Sequence, residues 1–384
     1  MPTPKITKIE IHQFEYELTD LAHGNEGAIY KPGSTITNTA CAIRVLTDVG
    51  VVGEYASANV FEFSGIATFA KSLIGVDALA REYVYSRIKQ AARQQAEVGI
   101  APVDIALWDL AGRYHDAPIH RLLGGFRKTL PTYVASVHAS EHEDLATPEE
   151  MGDFAVQCKE LGYPAFKIHG WENGRVDREI EAILTVRERV GDEMDLMSDP
   201  YNALQTFADA FKVGRACDEA TYLWYEDPMA DGGISQHGHQ RLRDLLSTPL
   251  LISEHVRGLE PRVDFMVSGA TDLVRGDVQY NGITGTMKLA HAAEGLGLDI
   301  ELHSPGPAQR QCMAAIRNTN YYELSGSRAK GPNSNQLPIY TDGYSDQIDD
   351  STDGHFPVPQ GPGLGVTYDW EMIQRRRTDL VVYE

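Results

Sequence analysis

No run of about 18 apolar residues occurs in this 384-residue chain, which argues against a membrane-spanning helix. The opening MPTPKITKIE has no apolar stretch of the kind a secretory signal needs, so the expected location is the cytoplasm. Cysteine is scarce. Cys41, Cys158, Cys217 and Cys312 are scattered without CxxC spacing, which argues against a disulfide framework or zinc knuckle and fits a reducing compartment. Positive charge is short as well: 34 Lys and Arg against 55 Asp and Glu leave a net charge of −21. Nucleic acid and anionic membranes are poor partners for such a surface. A small anionic substrate is repelled at long range too, so a site for one needs local positive charge, which a divalent cation with Lys167 would supply. Over the surface as a whole, solubility is reason enough for the acidity.

What is present is a 42% apolar fraction, enough for a real core, in a length that suits a large barrel plus an accessory domain. Residues 1–129 read as an α+β capping domain. Ile6, Ile9, Ile11 and Phe14 mark a strand with one buried face. Residues 18–36 show no period and read as a long loop. Thr39–Thr47 and Val51–Ala56 form a hairpin around Asp48–Gly50, residues 57–65 read as a second irregular stretch, and helices follow through residue 90. Long loops in a compact domain often act as lids, and a loosely ordered surface loop explains each of these equally well. Residues 98–125 read as a helix packed between two domains, with Pro102 near its start.

From Leu130 a strand–helix unit repeats. Strands are expected at 130–136, 164–169, 194–199, 222–226, 249–254, 272–278, 298–303 and 320–324, with seven helices between them. Thr147-Pro148-Glu149-Glu150 opens the first of these helices as a capping box. No matching helix follows the eighth strand. Residues 330–384, rich in Pro, Gly, Asp and Ser up to 365, read as a return segment that packs on the capping domain. Its acidic DDSTDG lacks a calcium-loop Glu, because Gln360 stands at the twelfth position.

Chemistry-bearing residues sit at the strand ends. Asp199, Glu226 and Glu254 are spaced 27 and 28 residues apart, Asp277 follows after 23 and His303 after 26 more. One strand–helix unit takes about that many residues, so a parallel barrel collects them at one rim. Three carboxylates converging there suit a hard cation, magnesium or manganese, rather than zinc; single strand-end acids also cap helices or form ion pairs. Asp227 and His255, the next residues along, take supporting roles. Lys167 and His169 are two apart on one strand and so face the same side. Beside a substrate carboxylate the lysine would be paired, and lysine plus metal would keep His169 neutral and able to accept a proton; a purely structural Lys–His pair is the other reading. Asp277 is placed to hold one ring nitrogen of His303 and leave the other for substrate.

At these residues the chain resembles the enolase superfamily, mandelate racemase subgroup. DIALWDLAGRYHDAPIHRLLGG is similar to the family's segment entering the barrel, and FKIHG stands where the subgroup has Lys-x-Lys. SDPYNAL, WYEDP and ISEH match the three metal acids, GHQRL follows the second of them, GDVQYNGITG and ELHS match the Asp–His pair, and GPGLGV resembles the closing stretch. The resemblance implies an α+β cap on a modified (β/α)7β barrel of the TIM type, occupying residues 130–329, with 330–384 returning to the cap. It implies Mg2+, with Mn2+ as substitute, held by Asp199, Glu226 and Glu254. It implies proton removal α to a carboxylate, and dehydration of a sugar acid (aldonate or aldarate) to a 2-keto-3-deoxy acid. It also implies a homo-oligomer, dimer to octamer. Two departures stand out. His169 replaces the second lysine, and Pro200-Tyr201 precede Asn202 where the family has one residue, so Asn202 is left unassigned. Glu323 stands near the position of a Glu that bonds the substrate carboxylate. His23, Tyr30 and Lys31, on the first N-terminal loop, are candidates for reading the sugar. The expected function is therefore hydro-lyase, with Lys167, His169, Asp277 and His303 as the catalytic set. A racemase, epimerase or cycloisomerase using the same enolate is the runner-up, and a non-catalytic binding relative the third reading.

Overall fold

A computed structural model describes residues 3–24, 28–139, 145–171 and 173–384 of the chain. Strands β1 (Ile6–His23), β2 (Ala28–Thr47) and β3 (Val52–Ser57) form an antiparallel sheet. The expected loop over 18–36 is instead the far half of the β1–β2 hairpin, apart from Asn25, Glu26 and Gly27, which lie outside the described residues. Leu18 pairs with Ile36, Thr19 with Thr35 and Leu21 with Tyr30. The polar residues that hid the strands serve a bulge: Asp20 sits at φ 59°, and its carboxylate accepts the N–H of Gly33 at 2.8 Å. The irregular stretch after β3 holds a one-turn helix, Val60–Ser64.

The helix Ile100–His115 lies between the two bodies, and its start is Ile100 rather than Pro102. Gly53 of β3 lets the sheet meet it closely, since a Cβ there would stand 2.0 Å from the Ala106 carbonyl oxygen. Buried Asp109 accepts from the backbone of Glu54 and Leu364, both at 2.9 Å. Buried Asp104 accepts from Thr284 N–H and Oγ1 at 2.8 and 2.6 Å, tying the helix to the barrel.

Eight parallel strands follow: β4 (Thr129–Ser136), β5 (Ala165–His169), β6 (Asp195–Asp199), β7 (Trp224–Glu226), β8 (Leu250–Ile252), β9 (Leu273–Gly276), β10 (Asp299–Leu302) and β11 (Tyr322–Ser327). Among the described residues seven helices alternate with them, which makes the modified (β/α)7β barrel of the TIM type. Thr147 caps the first helix by accepting the Glu150 N–H, and Glu150 reaches back to the N–H of Ala146. Tyr133, Ala135, Ala165, Met197, Trp224 and Leu251 fill the interior. The ladder runs β10-β9-β8-β7-β6-β5-β4-β11, and among the described residues no ladder joins β10 to β11. Two carboxylates stitch that seam. Glu301 of β10 accepts from Asn320 N–H, Asn320 Nδ2 and Tyr321 N–H at 3.0, 2.7 and 3.3 Å, and Glu323 of β11 accepts the Ser304 N–H at 2.6 Å.

Several strands stop short of their expected ends. The strand expected to run to residue 278 stops at Gly276, and Asp277 caps the next helix by accepting the Gln279 N–H at 2.6 Å. That helix, Val278–Leu296, breaks at Gly282, where a Cβ would strike Asp104. The C-terminal segment adds β12 (His355–Pro357), antiparallel to β4, and β13 (Arg377–Tyr383), antiparallel to β1. β13 is exposed on both faces, so it lacks the alternation that marks a strand. No helix among the described residues is long and apolar enough to cross a membrane.

Burial raises the Glu301 carboxyl to about 7. A folded-state value above the unfolded one means that this group's contribution to stability declines as pH rises from about 4.5 to about 7. Glu301→Ala leaves three donors unmatched at the seam. It is expected to lower stability by about 1–3 kcal/mol in urea denaturation, and to remove that pH dependence.

Candidate active site

The C-terminal strand ends open into a cavity of about 780 Å3 roofed by the β1–β2 hairpin, which contributes Tyr16, His23 and Asn38. Its floor is a ring of four fully buried side chains from alternate strands: Lys167 (β5), Glu226 (β7), Arg275 (β9) and Glu323 (β11). Layers of four from alternate strands are how such barrels fill. Here the layer is ionic and alternates in sign. Lys167 Nζ lies 2.9 Å from both Glu226 Oε2 and Glu323 Oε1. Arg275 lies 2.8 Å from both, through Nε to Glu226 Oε1 and a terminal nitrogen to Glu323 Oε2. Burial opposes every one of these charges. Glu226 and Glu323 nevertheless hold Lys167 well above its ordinary value, and Arg275 with Lys167 holds Glu323 well below the carboxylate range.

Above the ring, Asp199 and Glu254 face its cations, Asp199 Oδ2 at 3.2 Å from Lys167 and Glu254 Oε2 at 3.8 Å from Arg275. Burial pushes the Glu226 carboxyl up, and the neighbouring charges of Asp199 and Glu254 push it further. Among the described residues no three acids, histidines or cysteines close on one ion position, because these carboxylates are turned to Lys167 and Arg275. The donor set still fits a hard divalent cation. All donors are oxygens, they stand at successive strand ends, and buried Glu226 Oε1 has no aligned hydrogen-bond donor even with Arg275 Nε beside it.

His169 lies between two acceptors. Its Nδ1 is 2.5 Å from the Ser136 carbonyl oxygen and its Nε2 is 3.1 Å from Asp199 Oδ2. A hydrogen bond to the carbonyl commits Nδ1 as donor and leaves Nε2 for the cavity side. His303 stands three strands away around the ring. Its Nδ1 is 2.8 Å from Asp277 Oδ2 and its Nε2 is 3.4 Å from Glu254 Oε1. Burial disfavours the imidazolium, but Glu254 and Asp277 outweigh it and raise His303 to about 9.

The cavity is lined by His23, His169, Asp199, Glu254 and His303, whereas Lys167, Glu226 and Glu323 are buried in the ring below and do not reach the lining. Tyr30 packs on Gly331 and Lys31 is exposed on β2, both away from the lining. Asp277 is buried behind His303. Asn202 and His255, given no substrate-facing role from sequence, both line the cavity, with Asn202 Nδ2 3.0 Å from His255 Nε2. Two further residues at the site carry no expectation from sequence. Arg275 was visible as a lone charge in the apolar run LVRG, two before Asp277 and so on the same strand face. His138, just past β4, packs tilted against Tyr201 and His169, ring centres 3.8 and 4.7 Å apart; burial first, then His169, drives it down to about 3, so its ring is neutral.

The family model described as "Enolase C-terminal domain-like" matches residues 150–372, and that of the "Mandelate racemase / muconate lactonizing enzyme, N-terminal domain" matches residues 32–124. Arabinonate dehydratase of Saccharolobus solfataricus is 28% identical over 296 residues, covering 74% of this chain and 75% of the relative. D-xylonate dehydratase of Haloferax volcanii is 27% identical over 365 residues, covering 86% and 84%. The crystal structure of D-glucarate dehydratase from Agrobacterium tumefaciens, complexed with magnesium, superposes with a TM-score of 0.88 at 29% identity, covering 98% of this chain and 100% of that one.

Arg275→Met strands Glu226 and Glu323 as buried charges without their guanidinium. It is expected to cost about 3–5 kcal/mol in urea denaturation, and adding Glu323→Gln should recover part of that loss.

Proposed function

The chain belongs to the mandelate racemase/muconate lactonizing enzyme family of the enolase superfamily, and from that premise we propose that it dehydrates a sugar acid to the 2-keto-3-deoxy acid. Its reported relatives are named dehydratases, which are hydro-lyases. The observation that carries the reading is His303. It is exposed to the cavity on one edge, held by Asp277 on the other, and kept protonated to about pH 9. A protonated imidazole so oriented is the acid that loss of a β-hydroxyl as water requires.

His169 takes the α-proton. With Nδ1 committed to the Ser136 carbonyl, only Nε2 can receive it. Lys167 and Arg275 each turn toward one of the carboxylates above the ring, Asp199 and Glu254, and neither lines the cavity. Asp199, Glu226 and Glu254 would hold Mg2+, which supplies positive charge that makes the proton α to the substrate carboxylate more acidic. His303 then donates its Nε2 proton to the departing hydroxyl, while Asp277 stabilises the ring throughout. Asn202 and His255, on the cavity wall, are placed to meet substrate hydroxyls. Two imidazoles, one ending β5 and one just past β10, would also serve a proton exchange at one carbon, which keeps racemisation or epimerisation as the second reading.

A panel of sugar acids with Mg2+ is expected to yield 2-keto product, to lose activity on EDTA treatment and to regain it on adding Mg2+. Deuterium at Cα in D2O without loss of water would overturn dehydration in favour of the isomerase. His303→Asn is expected to lower kcat by about 10²–10⁴-fold. An acid works only while protonated, so kcat should fall as pH rises through a limb at or below about 9. The limb lies lower when a cation on Glu254 withdraws part of the support for the imidazolium.

A further inference from the structure

A second chamber of about 210 Å3 adjoins the main cavity on the His303 side. The two share Ala58, Ser304, Ser334 and Asn335 as wall. The chamber is built where three parts of the chain meet: the end of β3, the helix starts that follow β9 and β10, and the return segment. Its volume is far above the roughly 15 Å3 that one water needs. Its polar lining is amide and hydroxyl: Ser57, Gln279, Gln309, Asn335, Gln336 and Tyr340. Ser57 Oγ donates to Gln279 Oε1 at 3.1 Å, which fixes one wall. Gln309 is 2% exposed, lines the chamber, and has a buried Nε2 without a hydrogen-bond partner among the described residues. An unmatched buried amide N–H is costly and is relieved by an incoming acceptor such as a hydroxyl oxygen.

No described Lys, Arg or His lines this chamber. Among the described residues its one charged wall residue is Asp346, which buried Arg310 pairs from behind the wall and which accepts from the Tyr322 and Tyr344 hydroxyls, both at 2.7 Å. A second substrate carboxylate placed there would be desolvated with no cation on the wall to pair it, because the Arg310 charge is already taken by Asp346. In the main cavity the one guanidinium among the described lining residues is Arg328, 2% exposed and turned to the Ala28 carbonyl at 2.6 Å.

Resting on the dehydratase reading, we infer that this chamber is the subsite for the distal, hydroxylated and uncharged end of the substrate. The enzyme therefore takes a monocarboxylic sugar acid and discriminates against the dicarboxylic acid of the same stereochemistry. Gln309 is the specificity residue, donating its free N–H to a distal hydroxyl.

The test uses the Mg2+-loaded full chain with pairs of six-carbon aldonates and aldarates matched in configuration, plus a four-carbon aldonate that lacks the two distal carbons and their hydroxyls. Product is read as 2-keto acid and binding as a shift in melting temperature. The expected result is higher kcat/KM and tighter binding for the aldonate of each pair. Gln309→Leu should raise KM for the six-carbon aldonate by about three- to tenfold with kcat little changed, and leave the four-carbon aldonate unaffected. Gln309→Asn, which keeps the amide, should lie between. Aldarates preferred over their matched aldonates, or a Gln309→Leu loss equal for long and short acids, would overturn the subsite. Aldonate binding preference without any 2-keto product would uphold the subsite and sink the dehydratase reading instead.

Discussion

The alternating ring of Lys167, Glu226, Arg275 and Glu323 is the constraint on which the site depends. Removing an ion from water costs several kcal/mol even after relaxation, and four of them are fully buried here. The ring stands because each cation touches two carboxylates and each carboxylate two cations, at 2.8–2.9 Å throughout. It is neutral as a unit. Asp199 and Glu254 above it are therefore surplus negative charge, and the faces of Lys167 and Arg275 that they meet are already shared. A divalent cation would restore that balance, with Glu226 serving the ring on one side and the ion on the other. The same surplus sustains His303 as an imidazolium, so charge in the floor decides which group at the rim carries a proton.

Around the ring, the rest of the chain fixes geometry. Asp104 and Asp109 sit on one helix and each bonds backbone of another body, so the cap is held to the barrel by buried polar ties rather than by apolar contact alone. That rigid joint is what lets a hairpin from the first 47 residues roof a cavity whose floor begins at Lys167. The seam between β10 and β11 is closed by side chains, and one of them, Glu323, also belongs to the ring. Closing the barrel and holding the active-site floor are thus one structural act.

How much was legible varied with the range of the interactions. Asp199, Glu226 and Glu254 could be read because each ends an apolar run, and the runs repeat with the length of one strand–helix unit. The Asp277–His303 pairing followed from neighbouring strands. Arg275 could not be assigned from its surroundings alone, because its partners lie 49 residues before and 48 after it, and a lone arginine in an apolar run has no visible counter-charge. The hairpin beyond residue 18 was hidden by a bulge whose Asp20 and Gly33 look like loop residues until they are seen to bond each other. β13 was hidden because neither of its faces is buried.

By itself, the sequence determined the barrel, the order of its units, the acids at its rim and the family to which it belongs, because strand alternation and unit length are local regularities written in the order of residues. Only the tertiary structure decided which charges neutralise one another, which histidine keeps its proton, and that a chamber without positive charge opens beside His303. Those depend on distances between residues far apart in the chain, and electrostatics and cavity shape are properties of that arrangement.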